Sequence, residues 1–225
     1  IQKSLYFQPQ GRLSFDPPAE TGEYDEYVSD PNKPVPYAAN TAIGMTREYM
    51  VGDQRLTATR PDVLVYQTDI LTEDVTIAGP IVASLQVSTS GTDSDWVVKL
   101  IDVYPDNASD NDPNPAGVKM GGYQMLVRGE PMRGRFRNSY QKPEAFTPDK
   151  PTKVEFTLPD AFHTFKKGHR VMVQIQSSWF PLVDRNPQKF VENIYKASDA
   201  DFQKATQRVY RSKQLQSQIK LTLLQ

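Results

Sequence analysis

Short runs of alternating apolar and polar residues recur along the chain, and Pro, Gly, Asn and Asp bound most of them. A period of two marks a half-buried strand, because successive side chains leave opposite faces of the pleat. Strands are predicted near residues 4–7, 12–15, 63–66, 75–78, 81–90, 95–104, 121–128, 132–138, 152–158, 170–177 and 218–224. Within Ile81–Ser88, Leu85 and Val87 share one face while Gln86 and Ser88 take the other. Val171–Gln176 alternates in the same way in its second half. In Trp96–Tyr104, one side holds Trp96, Val98, Leu100, Asp102 and Tyr104, and the other Val97, Lys99, Ile101 and Val103. Both sides are largely apolar, with one Asp and one Lys between them, so this strand is expected to have neighbours on both sides.

The intervening segments read as loops. Pro31–Pro36 contains three prolines, which remove ladder donors and rule out a central strand. Residues 105–117 mix Pro105, Pro113 and Pro115 with Asp and Asn, as a solvated loop does. One stretch departs from the β pattern. Across 187–209, Phe190, Ile194, Tyr195, Phe202 and Val209 are spaced for one or two short helices, opened by Pro187, with Asp199 placed to cap the second. The reading is an all-β sandwich with one or two short helices near 187–209, and residues 1–225 form one domain.

Charge narrows the partners. Twenty-six Lys and Arg balance 27 Asp and Glu, and no block of like charge appears, so neither nucleic acid nor an anionic membrane is an expected partner. The longest apolar runs fall far short of a spanning helix. With no cysteine, disulfides, thiolate metal sites and Cys nucleophiles are excluded, and no cofactor is expected. The chain opens at Ile1, directly in strand-like sequence, as a fragment of a longer polypeptide would. The compartment stays open, with a bacterial periplasmic or secreted parent as the expectation.

Catalytic signatures are missing. A Gly-x-Ser-x-Gly elbow is absent, and Gly91-Thr92-Asp93-Ser94-Asp95 reads as a polar hairpin turn. His163 and His169 are the only histidines, one placed in a loop and one at the start of a strand, with no nucleophile to activate. Asp106, Asp110 and Asp112 make an oxygen-rich loop that lacks the glycine and terminal Glu of a calcium loop. Asn107-Ala108-Ser109 is a glycosylation sequon, of consequence only in a eukaryotic secretory host. Trp96 and Trp179 could serve a sugar-stacking platform, but their places at strand ends favour core packing.

Several longer motifs remain. They are Tyr27-Val28-Ser29-Asp30-Pro31-Asn32-Lys33-Pro34-Val35-Pro36-Tyr37, Asp53-Gln54-Arg55 with Arg60-Pro61-Asp62-Val63-Leu64-Val65-Tyr66, the run Ser88–Pro105, the run Gly168–Pro181, and Asp184-Arg185-Asn186-Pro187. In this order they resemble the C-terminal domain of the X-Pro dipeptidyl-peptidase and cocaine esterase group of serine hydrolases. Within it, the α-amino acid ester hydrolases and glutaryl-7-aminocephalosporanic acid acylases look most similar. The resemblance implies a jelly-roll β-sandwich of galactose-binding-like type. It implies that the chain is the non-catalytic partner of an α/β-hydrolase domain and a helical cap lying upstream. The Ser-His-Asp triad would lie there, and no residue of this chain is assigned to it. It also implies packing on the chain's own catalytic and cap domains, and homo-oligomers of the intact enzyme. In the cocaine-esterase branch a loop after the Asp-Pro-x-x-Pro-Val-Pro segment helps line the acyl pocket. The corresponding stretch here, 38–53, offers Ile43, Met45, Tyr49 and Met50. The alternatives are a carbohydrate-binding module or an oligomerisation domain.

Overall fold

The computed structural model describes residues 1–21, 23–38 and 47–224. Eleven strands dominate it: β1 (Gln2–Gln8), β2 (Arg12–Ser14), β3 (Tyr24–Ser29), β4 (Leu64–Gln67), β5 (Val75–Thr89), β6 (Asp95–Val103), β7 (Gln124–Arg133), β8 (Thr152–Phe165), β9 (Arg170–Gln176), β10 (Ala205–Tyr210) and β11 (Gln218–Thr222). Hydrogen bonding runs in the order β3-β10-β5-β11-β1-β2-β4-β9-β6-β7, with β8 also paired to β5. The path turns over at a single parallel bridge between Arg12 of β2 and Gln67 of β4. The chain is therefore an all-β sandwich. Leu85 and Val87 from β5 share its main core with Trp96, Val98 and Leu100 from β6 and Val173 and Ile175 from β9.

The two faces of β6 separate as their alternation requires. Trp96, Val98 and Leu100 enter the main core, while Val97 and Ile101 join Tyr37, Leu126, Met172 and Trp179 in a second cluster on the outer face. β6 is flanked by β7 and β9, the neighbours on both sides that its composition demands.

Some boundaries differ from the expectation, each for a physical reason. The segments near 75–78 and 81–90 are one strand. A bulge between Gly79 and Ile81 lets β5 pass Pro80, with Gly79 at φ +99°, a conformation that glycine adopts without steric cost. The segments near 121–128 and 132–138 are likewise one strand, β7, which stops at Arg133 because Gly134 donates its N–H to Ser94 O (2.9 Å) and opens a 3-10 turn. The alternation pattern does not predict β3 and β10, which pair with each other. Val209, counted among the helical spacings, is buried in β10. The short helices are the single 3-10 turns Ile194–Lys196 and Asp199–Asp201. Ser198, not Asp199, caps the second: the Asp201 carboxylate accepts from the Ser198 amide (2.9 Å) and hydroxyl (2.8 Å) in a capping box.

Candidate functional site

The polar motifs meet at one end of the sandwich. Asp93 is fully buried and accepts from Arg135 Nε at 2.7 Å, and Arg135 lies over the Phe190 ring at 4.5 Å. Asp95 accepts from Asn186 Nδ2 at 2.8 Å, and Arg133 bridges Asp95 and Asp184. Gln188 donates through Nε2 to Ser29 O (3.2 Å), and its own carbonyl accepts from Thr92 N (3.1 Å). Burial pushes the Asp93 carboxyl up, and it lifts Asp95 to about 7 against the pull of Arg133. Residues 27–30, 90–95 and 184–188 thus interlock. Gly91 lies at the closest approach. A Cβ there would sit 2.2 Å from Gln188 O, the acceptor that fixes Thr92. Gly91→Ala is expected to cost about 1–3 kcal/mol as overpacking, read as a lower urea midpoint. An unchanged midpoint would show that this backbone yields.

This network is structural. Ser94 is buried, and its single hydroxyl proton has two acceptors to choose from, both at long distance, Asp95 O (3.3 Å) and Ser177 Oγ (3.4 Å). The histidines are engaged elsewhere. Asp102, on the inner face of β6, accepts from His163 Nε2 at 2.9 Å and His169 Nδ1 at 2.8 Å. His163 lies within β8 rather than in a loop, and His169 immediately precedes β9. Both imidazoles therefore tie strands together around one buried carboxylate, and neither activates Ser94. In the 106–112 loop, Asp110 is held by Lys119 Nζ (2.6 Å) and Met120 N (2.9 Å). No group of three or more His, Cys, Asp or Glu among the described residues could hold a metal ion. Trp96 and Trp179 are buried, so neither offers a face to a sugar.

A second feature lies over the outer cluster. Residues 47–58 form a strap, with a 3-10 turn at Arg47–Val51 and one helical turn at Arg55–Ala58. Asp53-Gln54-Arg55 pins it to β7 and β6. Asp53 Oδ1 accepts from Arg55 N (3.0 Å), Gln54 N donates to Gln124 O (2.8 Å), and Arg55 reaches Gly121 O and Lys119 O (both 2.9 Å). Lys99 Nζ donates to Gln54 Oε1 at 2.9 Å and lies 5.2 Å from the Trp179 ring centre. Desolvation lowers its pKa to about 7. Of the four pocket residues expected from the sequence, Ile43 and Met45 lie outside the described residues. Tyr49 packs edge-on against Trp179 with ring centres 6.2 Å apart, and Met50 is 55% exposed beside it. Together they wall a surface recess with Trp179, Leu126 and Gly129. Of the last three, the sequence singles out only Trp179, as an aromatic at a strand end suited to core packing or sugar stacking, and Leu126 and Gly129 carry no such signal.

A model of the X-Pro dipeptidyl-peptidase C-terminal non-catalytic domain matches residues 2–220. The chain belongs to this family. As an X-Pro dipeptidyl-peptidase C-terminal domain it is 33% identical over 166 residues to the cocaine esterase of Rhodococcus sp. (strain MB1 Bresler), covering 74% of this chain and 26% of that protein. It superimposes with a TM-score of 0.93 and 45% identity on an aminopeptidase from the marine sediment archaeon Thaumarchaeota archaeon, over 100% of this chain and 37% of that one. An α-amino acid ester hydrolase matches at TM-score 0.92 and 49% identity, over 99% of this chain and 36% of that one. A CocE/NonD family hydrolase of Staphylococcus aureus, at 14% identity and TM-score 0.62, shares the fold. The domain spans about a third or less of the relatives it matches, so it corresponds to one part of larger, multi-domain chains. Membership of a non-catalytic domain family accords with the buried Ser94 and the structural histidines.

Proposed function

We propose that this domain is the C-terminal part of an α/β serine hydrolase that cleaves ester or amide bonds, as acylases, α-amino acid ester hydrolases and X-Pro dipeptidyl-peptidases do. In this reading it packs on the enzyme's catalytic and cap domains, which precede it, and its 38–53 loop lines the acyl pocket. The strap supports the reading best. Met50, Val51 and Leu56 are each more than half exposed, at 55%, 53% and 53%, on a segment otherwise fastened to the sandwich. Apolar side chains held rigidly in water mark a surface made for contact. A loop braced on a sandwich loses little entropy when it closes a pocket, and it excludes water from the reacting bond.

The test is made in the intact enzyme. Tyr49→Ala and Met50→Ala are expected to raise KM for ester substrates about tenfold, as loss of an apolar pocket contact does, with kcat little changed. Unchanged KM and acyl preference in both variants would remove the lining role. This chain alone is expected to release no p-nitrophenol from a p-nitrophenyl ester. Turnover by the pure chain that a serine-directed inhibitor blocks would overturn the reading altogether.

A further inference from the structure

We infer that the open edge of the sandwich between β7 and β8 receives a lysine or arginine side chain from the rest of the parent polypeptide, with Glu130 as its counter-charge. This rests on the docking proposed above and specifies where one part of it is made. Among the described residues β8 pairs only with β5, and the edge of β7 away from β6 is bonded to the strap at Gln124–Leu126 and has no strand partner beyond it, so the Val127–Arg133 stretch of β7 and the facing edge of β8 are open. The two edges run side by side in opposite directions without a ladder between them. Two recesses lie end to end along them and share Glu130. One contains Gly129, Pro159 and Trp179, and the other Phe136, Tyr140 and Phe156.

Glu130 pairs in register with Val98, a main-core residue, so its side chain is on the face turned toward the opposite sheet. It is partly buried, and it has no hydrogen bond or ion pair among the described residues. Burial alone raises its pKa. The charges on either side of it are engaged: Arg128 Nε donates to Asp160 O at 2.8 Å, and Arg133 holds Asp184 and Asp95. A carboxylate partly withdrawn from water and left without a partner costs free energy that an incoming cation returns in part.

The groove's chemistry selects the mode of contact. Pro131 in β7 and Pro159 in β8 have no N–H, so an added strand would find gaps in the ladder near the shared centre. An inward charge and prolines also guard an edge against pairing. Edge protection does not require aromatic walls, however, and here the half-buried Phe136 and the 80% exposed Tyr140 present rings that attract a cation. The occupant is assigned to the same polypeptide because well over half of each solved relative lies outside the matched region.

The intact enzyme tests this by carboxyl labelling with glycine ethyl ester and a carbodiimide, read by mass spectrometry. Exposed Glu73 is the reference. Glu130 is expected to label at least about tenfold more slowly than Glu73, as a group in a protected contact does. Glu130→Arg is expected to lower the Tm of the intact enzyme, with Glu130→Gln between it and the wild type, whereas Glu73→Arg leaves it unchanged. Peroxide oxidation of Met50 reports docking separately. Slow oxidation of Met50 with Glu130 labelled as fast as Glu73 would overturn the groove assignment alone. Fast reaction at both would overturn the docking as well. Protection of Glu130 that vanishes on dilution would place a second copy of the chain in the groove and refute the assignment to the same polypeptide.

Discussion

Arg135→Ala is expected to lower the unfolding free energy by about 3–5 kcal/mol, the cost of stranding one member of a buried ion pair. Arg135 and Asp93 are 4% and 0% exposed, and their contact is 2.7 Å. The Asp93 carboxyl is already pushed up by burial, and the guanidinium is the main force opposing that shift. Without it, Asp93 keeps only the Ser94 amide at 2.9 Å and help from Asn186. The alanine also vacates the face of Phe190. Urea denaturation at neutral pH reads the loss. The double variant Asp93→Asn with Arg135→Met removes both charges together and is expected to recover most of it, because an absent pair needs no desolvation. A loss below about 1 kcal/mol in Arg135→Ala, the range of an exposed pair, would show that water reaches this end of the sandwich.

The second large effect is a dependence on pH with opposite limbs. Lys99 is buried with no carboxylate beside it among the described residues, and its pKa falls from 10.5 to about 7 through desolvation. Between those values the unfolded chain holds the proton and the folded chain does not. Stability therefore rises with pH across the window from about 7 to 10.5. Asp95 behaves in the mirror sense. Its pKa rises from 3.8 to about 7, so the folded state holds the extra proton and stability falls across that window. Each limb is worth roughly 4–5 kcal/mol over its full span, at about 1.4 kcal/mol per unit. Lys99→Met is expected to flatten the alkaline limb and raise stability near pH 7, less the cost of leaving Gln54 Oε1 without its donor. Asp95→Asn is expected to flatten the acid limb while keeping a partner for Asn186. Urea midpoints of each variant against wild type at about pH 5, 7 and 9 decide the matter. A Lys99→Met difference constant from about pH 7 to 9 would mean that the lysine stays charged throughout.

Legibility in the sequence followed the strength of the local pattern. β6 was readable to the level of which residues take which face, because nine consecutive positions alternate between two buried environments. β10 was not, since Gln207 and Arg208 interrupt its apolar positions and Phe202 precedes it at a helical spacing. Gln207 is buried all the same, with its amide donating to Gln188 Oε1. Its burial depends on a residue 19 positions away. β5 was split at Gly79-Pro80 because a bulge is a two-strand property, visible only once β8 is in place.

The sequence by itself showed that a Gly-x-Ser-x-Gly elbow and cysteine are missing, and its ordered motifs pointed to the non-catalytic domain family that the family model matches. The alternation of β6 and the ordered motifs likewise settled the fold class. Only the tertiary structure decided what the charged residues do. It set Asp93 on Arg135, closed two histidines onto Asp102, buried Lys99 against Gln54, and left Glu130 without a partner among the described residues. A side chain's charge is written in the sequence, but its cost depends on the water it loses and the partner it finds. In a sandwich most of those partners lie 40 or more residues away.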